Sequence, residues 1–348
     1  MQPDDIDPSL VDFGVLARWM DADGLPGGPF ERVERLGGGT QNVLVRFCRG
    51  DRAYVLRRPP VHPRPRSNDA LRREARVLSA LDGTGVRAPR LIAACTDETV
   101  MNGVVFYLME SVRGFNPTTA LPPRYAGDPA VRHRMGLDAA AALAELGAVD
   151  HVAAGLGDMG RPEGFLERQV GRWLSELESY NALDGYPGAD IPGLTEVATW
   201  LEAHRPHEWR PGIMHGDYHL ANLLYDADAP RVAAIVDWEM CTIGDPLLDL
   251  GWLIATWPVG EAAPLAGAIG TAGGLPTTGE LAEVYAARTD RDLSALTWYA
   301  VLACFKLGIV LEGTHARAFA GQAPEDVGDL LHATTLGLFA RARTFMET

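Results

Sequence analysis

Lysine is almost missing from this sequence: of its 31 basic residues, Lys306 is the single lysine and the other 30 are arginines. Chemistry that calls for a lysine ammonium therefore has one position to use, or is done by arginine. Cysteine is scarce as well. Cys48, Cys95, Cys241 and Cys304 are spread widely with no paired spacing, which argues against a disulfide framework or a cysteine-zinc site and makes a reducing, cytoplasmic setting the expectation. The opening stretch MQPDDIDPSL has neither a basic cluster nor an apolar core, so no signal peptide is expected there. The longest apolar stretch, Trp298 to Leu311, is interrupted by Lys306 and reads as a buried helix, too short to span a bilayer. Positive charge is also in deficit. With 31 basic against 46 acidic residues the net charge is −15, which argues against a nucleic-acid partner and predicts repulsion from anionic membranes.

What is present is a globular composition, 348 residues with 47% apolar and 22% charged, enough for one large domain or two lobes. The charge is unevenly divided. Residues 1–112 hold 15 arginines and 15 carboxylates, so all the net negative charge belongs to the remainder. Within the neutral part, Arg46 to Arg90 holds twelve arginines against Asp51, Asp69, Glu74 and Asp82. That segment is either a solvated arginine-rich surface or a site for a polyanion such as a nucleotide or coenzyme phosphate.

The first part reads mostly as strands: Arg32–Leu36, Val43–Cys48, Ala53–Arg57 and Val104–Met109. One helix interrupts them, with Leu71, Ala75, Leu78 and Leu81 at helical spacing and Asn68 or Asp69 placed to cap it. After Gly114 the pattern turns helical. One stripe is Met135, Ala139, Ala142, Leu143, Leu146 and Val149; another is Leu166, Val170, Trp173, Leu174 and Leu177; further helices are expected at Leu281–Arg288 and Leu296–Leu311. The Pro/Arg segment Arg57–Arg66 is read as a rigid strand-to-helix loop, with a proline-motif ligand as the alternative.

The stretch Ile213–Trp252 carries the chemistry. Two apolar runs, Leu223–Tyr225 and Val232–Val236, flank the turn-rich Asp226–Arg231 and suggest an antiparallel hairpin. Asn222 immediately precedes the first strand and Asp237 follows the second, so an amide oxygen and a carboxylate are expected at one end of it. Asp217, five residues before Asn222, can reach the same place. Such an oxygen set suits a hard divalent cation, and magnesium usually arrives with substrate phosphates.

These residues, His215-Gly216-Asp217, then Asn222, then Asp237 at a hairpin end, resemble the catalytic core of the aminoglycoside phosphotransferase family, whose fold is protein-kinase-like. The resemblance implies an α+β, bilobal architecture: a small antiparallel β-sheet N-lobe (1–112) that binds nucleotide and a larger, mainly helical C-lobe (113–348). It implies ATP with Mg2+, GTP remaining open, and a small-molecule alcohol as acceptor. Asp217 would take the catalytic place beside the substrate hydroxyl, with Asn222 and Asp237 on the metal. Gly37, Gly38, Gly39, Thr40 and Asn42 lie where the family folds a glycine-rich loop over the phosphates. Arg57 stands where the family carries its phosphate-binding lysine, and Glu74 stands at that lysine's partner. Glu74 falls on the apolar face of its helix, so it needs a cation: Arg57, or else Arg72 or Arg73 in solvent. The backbone at Glu110 and Val112 would meet the adenine edge. Asp249 would be structural, bonding backbone near the catalytic loop or simply starting a helix.

The segments Phe165–Leu177 (FLERQVGRWLSEL), IVDWEMCTIGDPLLDLGW and VLRRPP narrow the resemblance to the kinase-like domains associated with acyl-CoA dehydrogenases. That branch points to a hydroxyacyl thioester or related metabolite; an antibiotic kinase acting on aminoglycosides or macrolides is the alternative. Candidates on the substrate side are Arg168, Arg172, Trp173, His219 and Glu239. Arg168 and Arg172 share a helix face, where like charges repel unless an anion sits nearby; the plain alternative pairs Arg172 with Glu176 and buries Trp173. Two other functions compete. A nucleotide-binding pseudokinase is kept open by Arg57, and a zinc hydrolase using His215 and His219 requires those residues to be helical. Oligomeric state is left open.

Overall fold

The computed structural model describes residues 6–7, 9–37, 42–258 and 266–347. Gly38, Gly39 and Thr40, expected in the phosphate loop, lie outside the described residues. The chain separates into two compact units, Met1–Gly114 with Ala233–Cys241, and Phe115–Val232 with Thr242–Thr348. A single cut after Val112 would leave 233–241 with the second unit. Local bonds explain its place in the first: Ile235 N–H donates to the Arg87 carbonyl, and Trp238 N–H to Glu74 Oε1 at 3.2 Å.

The first unit runs α1 (Phe13–Ala22), β1 (Phe30–Leu36), β2 (Val43–Arg49), β3 (Arg52–Arg58), α2 (Ser67–Leu81), β4 (Leu91–Cys95) and β5 (Phe106–Glu110). The strands form an antiparallel sheet in the order β1-β2-β3-β5-β4, with Arg57 of β3 between Leu44 and Tyr107. Alternation along β2 buries Val43, Val45 and Phe47, which join Leu16 and Met20 of α1 in one core. Helix α1 has no counterpart among the sequence expectations; Asp12 caps it by accepting from Val15 N–H. Helix α2 starts differently from the expectation. Asn68 does not cap it but bonds the Val105 N–H and the Gly103 carbonyl, while Arg66 precedes the helix in a left-handed conformation. Asn68 thus ties the helix start to the turn before β5.

The second unit continues with α3 (Pro123–Ala126), α4 (Pro129–Gly147), α5 (Gln169–Ser179), α6 (Leu194–Ala203), β6 (Gly212–Met214), β7 (Leu223–Tyr225) and β8 (Val232–Ile235), whose residues after Val232 group with the first unit. Then follow β9 (Thr242–Gly244), α7 (Leu247–Thr256), α8 (Gly267–Ala272), α9 (Thr278–Ala286), α10 (Leu296–Phe319) and α11 (Glu325–Met346). Strands β7 and β8 pair as the expected hairpin, and β6 pairs antiparallel with β9. An α+β architecture with a five-stranded sheet and a mainly helical remainder is what the composition of elements amounts to. The expected stripe on α5 is realised at Val170, Trp173 and Leu177, while Leu174 is exposed.

Helix α10 is the axis of this unit, buried along most of its length and packed on α7 and α11. Among the described helices it alone is long and apolar enough to cross a membrane, and its apolar window is mostly buried in the protein. The close approach of α7 is made by Gly251, where a Cβ would come within 2.5 Å of the Tyr299 carbonyl group. That neighbour is backbone and cannot swing away. Gly251→Ala is therefore expected to destabilise this unit by about 1–3 kcal/mol through overpacking, seen as a lowered midpoint of thermal unfolding.

Candidate active site

In the second unit, the loop from His215 to Asn222 is shaped by bonds to its own backbone. Helix α7 begins at Leu247, and Asp249 in its first turn is fully buried. Its carboxylate accepts the His215 N–H at 2.6 Å and the Gly216 N–H at 2.9 Å. Gly216 has φ +86°, a left-handed turn that glycine takes without a side-chain clash. Burial pushes the Asp249 carboxyl up to about 7, against the pull of those two N–H groups and of Lys306.

Sequence reasoning singles out Lys306 as the one lysine but gives it no place in the site. It lies far along the chain on α10, yet its ammonium donates to the Gly216 carbonyl at 3.0 Å. It sits 4.3 Å from the Trp252 ring centroid and 5.5 Å from that of Trp173, an aromatic lining that favours a cation. A signal was available: a lysine in the middle of an apolar helix needs a polar partner. Burial draws its amine down to about 8, with Asp249 and Asp217 opposing.

Asp217 projects from this loop with its side chain about one-third exposed. Its Oδ1 lies 3.2 Å from His219 Nε2, and the Asn222 amide donates to its Oδ2 at 3.0 Å and to its carbonyl at 2.9 Å. His219 Nδ1 accepts the Ala221 N–H, which leaves the ring proton on Nε2, facing Asp217. Burial alone would raise the Asp217 carboxyl, but the hydrogen bond from His219 and the nearby positive charge of Lys306 hold it well below the usual carboxylate range. His219 thus stands beside Asp217. His215 is buried, and its Nδ1 accepts the Asp217 N–H. The residues from His215 to His219 are not helical, so the arrangement that a zinc pair at these positions would need is not formed.

In the first unit, Arg57 and Glu74 are both buried. Arg57 Nε comes within 2.9 Å of Glu74 Oε2, off the N–H axis, so it is an ion contact and not an aligned hydrogen bond. Its NH2 group donates to Asp237 Oδ1 at 2.8 Å and reaches Glu239 Oε2 at 3.5 Å. Asn42 also donates to Glu239 Oε2, at 3.3 Å. Glu239, expected on the substrate side, lies instead beside Arg57 and Asn42, two residues expected on the nucleotide side. Burial works against the Arg57 charge, but Glu74, Tyr107 and Asp237 more than compensate and hold the guanidinium above its ordinary value. Burial also pushes Glu74 up to about 7 despite Arg57. Asp237 has φ +68°, left-handed for a residue with a side chain, a strained conformation that fixes where the carboxylate points.

The other expected positions divide. Gly37 is in open space, where a Cβ would meet nothing within 4 Å. The Glu110 N–H is engaged by the Arg90 carbonyl at 2.9 Å, so an adenine edge would have to use other backbone groups of that segment, Val112 among them. Arg168 precedes α5 and clamps the loop before it by donating to the carbonyls of Arg161 and Glu163. Arg172 is exposed, with its guanidinium 5.1 Å from the Trp173 ring centroid, and Trp173 is buried.

The Lys306 amine gives a pH signature. Its value in the folded chain lies below the ordinary 10.5, so between about pH 8 and 10.5 the unfolded chain binds more protons and stability from this group rises with pH. Relative to Lys306→Met, the wild-type chain is expected to gain a few kcal/mol across that window. Denaturant midpoints of both proteins at about pH 7.5 and pH 10 check it.

The sequence profile of the phosphotransferase enzyme family (APH) matches residues 32–284. Acyl-CoA dehydrogenase family member 11 of Gallus gallus is 30% identical over 312 residues, covering 86% of this chain but only 39% of that protein. A crystallised candidate aminoglycoside phosphotransferase from Ralstonia eutropha JMP134 superposes with a TM-score of 0.79 at 29% identity, covering 96% of this chain and 98% of the other. The GDP complex of an aminoglycoside 2'-phosphotransferase has a TM-score of 0.62 at 18% identity, covering 93% and 97%, a likeness of fold. With the profile spanning well over half its length, the chain belongs to the phosphotransferase enzyme family and has its kinase-like fold.

Proposed function

We propose that this chain is a small-molecule kinase that uses ATP with Mg2+ to phosphorylate an alcohol, the acceptor being a hydroxyacyl thioester or a related metabolite. One observation carries the reading: a part-exposed carboxylate, Asp217, kept ionised and aimed by His219 and Asn222, on a loop whose backbone is held by Asp249 and Lys306. In phosphoryl transfer the protein's work is mostly positioning and charge stabilisation. A carboxylate with a depressed pKa is a weak base, so Asp217 orients the acceptor hydroxyl and receives its proton as the new O–P bond forms and the bond to the nucleoside diphosphate breaks. The Asn222 amide bridges the Asp217 carbonyl and carboxylate, which holds the base in one rotamer.

The donor chemistry fits Mg2+. Asn222 offers an amide oxygen and Asp237 a carboxylate that is over a third exposed, both hard ligands of the kind this cation takes with substrate phosphates. When bound, Mg2+ would neutralise charge on the transferred phosphate. Arg57 holds Asp237 in place for that role. Similarity to a chicken acyl-CoA dehydrogenase family member supports the thioester-related acceptor.

Replacing the base separates chemistry from binding. Asp217→Asn is expected to lower kcat by about 10²–10⁴-fold with nucleotide affinity little changed, measured by coupled ADP release and by calorimetric nucleotide titration. Arg57, engaged at two of its nitrogens by three carboxylates, favours a second reading, a nucleotide-binding protein without turnover. An acceptor screen over hydroxyacyl thioesters, amino sugars and amino alcohols decides between them. The kinase reading expects ATP consumption with at least one acceptor class that disappears in Asp217→Asn; nucleotide binding with no consumption in any pool establishes the second.

A further inference from the structure

The phosphotransfer reading leaves a second cluster of titratable groups unused, in the last turns of α10 and the facing part of α11. We propose that Glu312, His315 and His332 form a binding site for one divalent transition-metal ion of the zinc class, which fastens α10 to α11.

Glu312 and His315 are three apart on α10, hence on one face of the helix, and His332 is presented by α11. The Glu312 side chain is about 1% exposed. Both rings turn Nδ1 towards its carboxylate: His315 Nδ1 is 3.1 Å from Oε1 and His332 Nδ1 is 2.7 Å from Oε2. One ligand atom from each of the three residues falls within 4.8 Å of the others. A tetrahedral zinc bound at about 2.0–2.1 Å sets neighbouring ligand atoms about 3.3 Å apart. The two nitrogen-to-carboxylate distances, 3.1 and 2.7 Å, need to widen by only about 0.2–0.6 Å to match that spacing.

The surroundings have the features of a metal site and not only of a hydrogen-bonded triad. Tyr186 donates to Glu312 Oε1 at 2.7 Å, an outer bond that orients a ligating carboxylate. Asp329 Oδ1 lies 3.8 Å from His315 Nε2, on the side of the ring away from the ligand nitrogen. The rings of His315 and His332 stack with centroids 4.3 Å apart and planes 29° apart. Two imidazolium cations would repel there, whereas two neutral rings are the form that binds metal. The side chains of His315 and His332 are 13% and 24% exposed, so an ion can enter and a water can complete its coordination. Two imidazoles and one carboxylate match zinc-class ions; magnesium and calcium prefer all-oxygen sets.

The test uses the full chain without a purification tag, stripped with chelator and titrated with Zn2+ and with Co2+ as a spectroscopic probe. The expected result is a single equivalent bound, visible absorption bands of four-coordinate Co2+, and a thermal midpoint that rises with Zn2+ concentration. His332→Gln and His315→Ala are each expected to weaken binding by roughly tenfold or more, while Asp217→Asn and His219→Ala leave it unchanged. Should either ligand variant fail to fold, the Co2+ spectrum and the stoichiometry of the wild-type chain decide. Absence of binding in the wild type, binding unchanged in folded His332→Gln and His315→Ala, or loss of the ion in His219→Ala would each overturn the proposal.

Discussion

One buried carboxylate sets the geometry on which the second unit's site depends. Asp249 spends both oxygens on consecutive backbone N–H groups, those of His215 and Gly216, and so fixes the loop from which Asp217 projects. A buried anion with only neutral donors would be costly, and Lys306 supplies the compensating charge from α10 while bonding the Gly216 carbonyl. The loop backbone is thereby held on its donor side by α7 and on its acceptor side by α10. Gly251 matters for the same reason, because it lets α7 lie close enough to α10 for both to serve one loop.

The exchange of lysine for arginine in β3 takes on a different meaning in this setting. A lysine ammonium offers three donors from one point at the end of a flexible stem, whereas the guanidinium of Arg57 spreads its donors in a fixed planar fork. It reaches Glu74, Asp237 and Glu239 together. Arginine here organises a group of carboxylates that a lysine would serve less completely, and the strained backbone at Asp237 is held within that group.

Much of this was legible in the sequence because it rests on local patterns. The hairpin of β7 and β8, the strands β1 to β3 and the apolar stripe of α4 follow from periodicity and turn residues. The pairing of Glu74 with a cation follows from one carboxylate on an apolar helix face. What escaped was set by tertiary contact. Asn68 has the composition of a cap but spends its amide on the turn before β5. Arg168 resembles an anion contact yet clamps carbonyls of its own loop. Lys306 and Gly216 are 90 residues apart, and no spacing rule links them. Glu239 carries no pattern at all; its partners are fixed by the turn that follows Asp237.

The scarcity of lysine also governs how this protein meets reagents. Its one lysine is about 6% exposed, and the ε-amine rests against two indole rings and the loop carbonyl. Amine-directed labels and cross-linkers therefore find no ready side-chain target on the folded chain. Acylation at Lys306 requires that its contacts with the two indoles and the Gly216 carbonyl open, so the rate of modification at this one position measures how often they do.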